Sequence, residues 1–349
     1  MTRDELLDNI RHGVPVSKAD CRGWDMSGLD LSGALIDQVD FTGARLTGAN
    51  LAGGSLSHCK LSDADLSRST LSDTRFLRCQ LARAQLDEAR CEGTTFAESQ
   101  LPQASFEQAV LERTTFFRCE LDQSRLRSEQ FRYATFAECR LAGTDFSGAA
   151  LNSITFHRLD LASASFSGTR FDTVLFIECD MTNQRFPAQR FERCVFTDSQ
   201  LDNTDFSHAI LTQCIFKGAS LRNASFVAAD APNVLFPAAD LRHAKLQGGR
   251  FDRSIWVEAR LEGADLSDAH IHESVFHRAR CTGASFRNAS LQDADFSYAE
   301  LTDADLRGAH FLRTRVHRTA QDGARFSRRG GIIESDPELH KAQTWSKVP

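Results

Sequence analysis

The sequence predicts a solenoid, a narrow tube of stacked coils filled by its own side chains, and three observations carry that reading. Every fifth residue from Cys21 to Val316, sixty positions in all, is apolar in a chain that is only 41% hydrophobic. The residue two places before each of these centres is nearly always small, as at Ala44, Ala49, Ala64, Ala84 and Ala89 and in an almost continuous run from Ala219 to Ala309. Of the 21 glycines, 16 stand two places after a centre, from Gly23 to Gly323.

A period of five matches neither the 3.6-residue face of a helix nor the two-residue alternation of a strand, so it counts whole structural units. Large and small residues alternating toward an axis fill a thin interior. The glycine position marks a sharp corner, where a side chain costs most. Pro102, Pro187, Pro232 and Pro237 each follow a centre by one residue, which predicts an amide there that no inter-coil ladder uses.

The segments Ala64-Asp65-Leu66-Ser67-Arg68, Ala264-Asp265-Leu266-Ser267-Asp268, Ala294-Asp295-Phe296-Ser297-Tyr298 and Ala304-Asp305-Leu306-Arg307-Gly308 match the A(D/N)LXX signature, and the chain thereby resembles the pentapeptide repeat family. The resemblance covers about 85% of the chain. It implies an all-β fold, a right-handed quadrilateral parallel β-helix with four pentads per coil and about 15 coils. A twenty-residue column agrees with it: Phe76, Phe96, Phe116, Phe136, Phe156, Phe176, Phe196, Phe216, Phe236, Trp256, Phe276 and Phe296. At a rise of roughly 4.8 Å per coil, the rod would be on the order of 70 Å long.

The organisation expected from this is a helical cap over residues 1–18, the β-helix over 19–326, and a tail or capping helix over 327–349. Residues 2–12 read as a short amphipathic helix, with Leu6, Leu7 and Ile10 on one face and Gly13 as its stop, covering the first coil. Trp24 and Leu29 occupy positions meant for small residues, which an end coil can accept. Ser335-Asp336-Pro337-Glu338 is a good helix start, and Leu339, Ala342 and Trp345 would fold back as a cap or pair two chains.

In the middle, Glu129, Gln184 and Gln189 stand at small inward positions, and Ile154, Leu159 and Val174 are larger than usual there. A buried unpaired Glu129 would cost several kcal/mol, so its coil is expected to bulge outward. All ten cysteines fall on inward positions, three at centres and seven at the small position. They read as compact hydrophobes rather than disulfides, metal ligands or nucleophiles, in a reducing compartment.

Net charge −6 with 25% charged residues, no apolar stretch near the roughly 20 residues of a membrane span, and no secretory leader at Met1–Leu7 point to the cytoplasm of a bacterial cell. No catalytic, cofactor or metal set is expected. The nine histidines from His58 to His317 take outward positions; the closest group, His270, His272 and His277, would diverge too far to hold a metal. The arginines from Arg313 to Arg329 lack an aromatic platform for nucleic acid and read as a solvated end.

The outward column before the aromatic one is the candidate site. Leu175, Val195, Ile215, Leu235, Ile255 and Val275 recur every twenty residues, with Ile177 and Val257 beside them, whereas the other three outward columns are mostly polar. Such a stripe reads as a protein-docking or dimerisation face, or else as β-branched residues suited to a flat sheet. The function expected is a non-catalytic protein-binding scaffold or adaptor with a protein partner or a second copy of itself. The opening through Ser27-Gly28-Leu29-Asp30-Leu31-Ser32-Gly33 is similar to the start of pentapeptide modules attached to type VI secretion components. The alternative implied by the family is a DNA-mimicking binder of DNA gyrase, which needs acidic outer columns; here the outer columns mix signs, as Glu120 with Arg140, and 41 basic residues nearly offset 47 acidic ones.

Overall fold

The computed structural model describes residues 1–335 and Lys341, so the expected C-terminal helix lies outside the described residues. The chain forms two compact units, Met1–Asp180 and Met181–Pro349. Each is a right-handed quadrilateral parallel β-helix, with about 16 turns in all. Val16–Ser17 and Ile332–Ile333 add partial coils outside the span from Cys21 to Val316.

One pentad shows why five residues make one side. Leu61 at the centre donates its N–H to Gln80 O at 2.6 Å, and the Asp63 N–H reaches Ala82 O at 2.9 Å. The Ala64 N–H turns back to Leu61 O at 3.1 Å, closing a corner, and Asp63 holds φ +59°. A four-residue turn with positive φ at its third residue is a type II turn, the reason glycine gathers at that position. The next pentad then pairs Lys60 and Asp65 with Gln80 and Gln85 of the following coil.

The amide one residue after the centre makes no ladder bond, which is where the prolines sit. The residue before the centre often supplies that amide with a partner: Asp65 Oδ1 accepts from Ser67 N at 3.0 Å, Asp205 Oδ1 from Ser207 N at 3.0 Å, and Asn50 Oδ1 from Ala52 N at 3.1 Å. The Asp/Asn of the repeat signature is thus a local side-chain turn.

In the first unit, the side bearing Phe76 carries a parallel sheet from Val16–Ser17 through Arg75–Leu77 to Leu175–Ile177, with Phe76 level with Phe96, then Phe116, Phe136 and Phe156. Ring centroids along it are 4.7–5.3 Å apart and the rings are stacked nearly parallel from Phe76 to Phe176. Phe106 and Phe146, from the opposite side, meet this stack edge-on at 5.8 Å. In the second unit the same column runs from Phe196 through Trp256 to Phe296 at 4.4–5.4 Å. All these rings are buried, each contributing about 1.5–3 kcal/mol by its removal from water.

The helix α1 (Arg3–Arg11) begins at Thr2, which forms a reciprocal capping box with Glu5. Leu6 and Ile10 are buried, α1 packs on Val16–Ser17, and Arg3 Nη1 donates to Asp25 O at 3.0 Å. Trp24 and Leu29 are half-buried in this end coil.

The irregular middle resolves coil by coil. Ile154, Leu159 and Val174 are buried in the tube. Glu129 is exposed and pairs with Arg170 Nη2 at 3.3 Å, while Ser128 takes its inward place, donating to Ala109 O at 2.6 Å. The ladder slips with it: Ala150 N donates to Ser128 O at 2.9 Å, although centres Leu126 and Phe131 stay five apart. Gln184 is buried and Gln189 half-buried.

Candidate partner-docking face

The candidate column lies on the outer surface of the aromatic side. In the first unit, Leu175 and Ile177 flank the buried Phe176 within one short strand and are half-buried. In the second unit, Val195, Ile215, Leu235, Ile255 and Val275 pair in sequence as parallel bridges, and Val257 follows the buried Trp256. Alternation along each strand forces this: when the centre points in, both neighbours point out. Ile255 is 37% exposed; the others shield one another in the column and are half-buried. Gly218 and Ala238 form the adjoining corner, where no long side chain stands.

Elsewhere the outer surface is a mesh of ion pairs between successive coils, which sequence reading registered only as mixed signs. Arg78 meets Glu98 at 2.7 Å, Arg118 meets Glu138 at 2.8 Å and Arg158 meets Glu178 at 2.9 Å along one corner. Asp63 meets Arg83 at 2.6 Å and Glu88 meets Arg68 at 3.1 Å along others. Opposite charges twenty residues apart were the available signal.

Two carboxylates gather more than one arginine. Asp240 touches Arg222 at 2.8 Å, Arg242 at 2.7 Å and Arg260 at 3.6 Å; burial pushes its carboxyl up, but the Arg242 and Arg222 hydrogen bonds outweigh this and hold it well below the usual carboxylate range. Asp305 is held low in the same way, chiefly by Arg307.

The ten cysteines are buried free thiols. Burial raises Cys21 to about 11 and Cys91 to about 12. Several donate to main-chain carbonyls, as Cys119 Sγ does to Phe96 O at 3.3 Å.

The histidine group is not brought together. The His270 and His272 rings are 6.0 Å apart, His272 Nε2 contacts Ser290 Oγ at 2.6 Å, and His277 pairs with Asp295 at 3.0 Å on another side. His317 departs from the expectation of an exposed ring: it is 3% exposed, with Tyr298 of the preceding coil edge-on at 5.7 Å. No group of three or more His, Cys, Asp or Glu side chains suited to a metal occurs among the described residues, and none of their helices is long and apolar enough to cross a membrane. Two open recesses, about 610 Å³ around Gln103 and Ser105 and about 370 Å³ around Ser128 and Glu129, are lined by polar side chains.

A family model described as a pentapeptide repeat region matches residues 94–166, 169–246 and 249–326, and one described as pentapeptide repeats matches 17–53, 25–63 and 59–96. No curated protein matches the chain. Among solved structures, the chain is similar to HetL, a pentapeptide repeat protein involved in heterocyst differentiation regulation from the cyanobacterium Nostoc sp. strain PCC 7120. Identity is 19%, covering 96% of this chain and 98% of that one, with TM-score 0.21. A trypsin-treated QnrB1, a plasmid-mediated fluoroquinolone resistance protein, is 18% identical over 61% of this chain and 94% of its own, with TM-score 0.23. A pentapeptide repeat protein from the Arabidopsis thaliana thylakoid lumen is 31% identical over 36% of this chain and 70% of its own, with TM-score 0.22.

Proposed function

From the premise that this chain belongs to the pentapeptide repeat family, we propose that it is a non-catalytic protein-binding scaffold or adaptor that docks a partner protein on its aliphatic face. The observation that carries the reading is the in-register outward column from Val195 to Val275 in the second unit, about 19 Å long at the spacing of adjacent strands. Its side chains desolvate at little cost, whereas the ion-pair mesh on the other sides must be stripped of water before anything binds there.

The DNA-mimicking gyrase binder is the weaker reading. A mimic presents carboxylates to a cationic groove, and here the carboxylates of Asp63, Glu88, Glu98, Glu138 and Glu178 already face arginines of neighbouring coils. Effector loading in a type VI secretion setting is one place for such an adaptor, supported by the opening segment alone. The cytoplasm suits ten free thiols.

The test is the double substitution Ile215→Lys and Ile255→Lys. It should leave the β-rich circular dichroism spectrum intact and abolish co-purification of the partner, or convert a sedimenting dimer to monomer if the partner is a second copy. Unchanged complex and sedimentation would refute the docking face; inhibition of gyrase supercoiling by the purified protein would instead support the mimic.

A further inference from the structure

We infer that Arg287, Arg307 and Arg325, gathered around the buried carboxylate of Asp305, form a binding site for a phosphate-type dianion, either free or as a terminal phosphomonoester. Asp305 is only 7% exposed. Its Oδ2 lies 2.7 Å from Arg307 Nη2, 3.5 Å from Arg325 Nη2 and 3.6 Å from Arg287 Nη1. Its Oδ1 accepts from both the main-chain N and the Nε of Arg307, at 3.2 and 2.9 Å, so that guanidinium is clamped by a two-pronged pair. The three arginine side chains are about half exposed and open to a ligand.

The same constellation occurs a second time, and the comparison isolates what is unusual. Around Asp240, Arg222, Arg242 and Arg260 stand at the same sequence offsets as Arg287, Arg307 and Arg325 do around Asp305. There two further acids offset part of the arginine charge. Asp202 accepts from the Arg222 amide at 3.0 Å, and Glu262 lies 3.7 Å from Arg260 and 3.4 Å from Arg280. The positions corresponding to Asp202 and Glu262 are Ser267 and Ser327. Both acids are therefore hydroxyls in the second cluster, and among the described residues Arg287, Arg307 and Arg325 have Asp305 as their sole acidic partner.

Three guanidiniums against one carboxylate leave two positive charges in excess, the charge of a phosphate dianion. Guanidinium forks suit its oxygens in geometry as well. Asp305 orders the arginines before the ligand arrives, which lowers the entropy lost on binding.

Calorimetric titration at fixed ionic strength tests this, with inorganic phosphate in one arm and phenyl phosphate in the other. Saturable binding near one site per chain is expected. Tighter binding of inorganic phosphate identifies the free ion as the ligand; tighter binding of phenyl phosphate identifies a carried phosphomonoester. Arg287→Gln with Arg325→Gln should weaken binding at least tenfold, and Arg222→Gln with Arg260→Gln should leave it unchanged. Ser267→Asp with Ser327→Glu, which adds the missing acids and removes no ion pair, should abolish it even if the arginine variant fails to fold. Absence of saturable heat with both probes, or equal affinity in the serine-to-acid variant, overturns the site.

Discussion

Arg118 Nε donates to Glu138 Oε2 at 2.8 Å, and the two residues hold the same corner of successive coils with φ of +51° and +54°. The pair shows how the repeat uses its least comfortable position. Left-handed backbone costs a non-glycine residue about 1–2 kcal/mol, yet Arg78, Glu98, Arg118, Glu138, Arg158 and Glu178 occupy that corner in succession and pair between coils.

The first prediction concerns the same position at two other corners. Gly43 has φ +64° and open space around its missing Cβ, so Gly43→Val tests backbone strain alone and should lower unfolding free energy by about 1–2 kcal/mol. Ala228→Gly, at φ +53°, should raise it by up to about 1 kcal/mol. Urea denaturation of both variants checks the opposite signs.

The second concerns the amide that the ladder ignores. Ser62→Pro should fold with its urea midpoint nearly unchanged, because the first central residue of a type II turn accepts proline and no ladder bond is lost. Ala64→Pro, two residues on, deletes the 3.1 Å bond to Leu61 O and should cost about 1–3 kcal/mol. Equal effects of the two prolines would contradict the pattern of hydrogen bonds.

A third follows from the thiols. All ten cysteines are buried and so should resist Ellman's reagent in the native protein and all react in guanidinium, Cys21 and Cys179 being further protected because burial raises them to about 11. Rapid native labelling of more than one thiol would mean that the coils open readily.

The last is an acid limb. Arg307 depresses the Asp305 carboxyl in the folded state below its unfolded value of about 3.9, so its contribution is full above that value and disappears as pH falls through the folded one. Asp305→Asn should therefore be less stable than the parent at pH 7, with the gap closing progressively toward pH 2. Urea midpoints across that range give the measurement, and a gap independent of pH would rule out the linkage.

Most of the fold was legible because one inward residue in five carries it: the spacing from Cys21 to Val316, the ring column and the proline sites all follow from a single local geometry. Glu129 was legible as a misfit, since a charge cannot enter the tube, but Ser128 as its substitute was not, because a serine gives no inward signal of its own. The burial of His317 under Tyr298 depends on where a flexible ring lies between coils, which the period does not encode. The aliphatic column was readable by its spacing. The arginine cluster at Asp305 emerges only when two places 65 residues apart are compared.

The slip at Leu126–Phe131 has a further meaning. Which residue is swallowed can change while the step of the spiral is held, so orientation and length are independent variables in this architecture. A new outward feature can thus arise at a bend through point substitution, with the adjoining coil shifting a ladder bond to accommodate it.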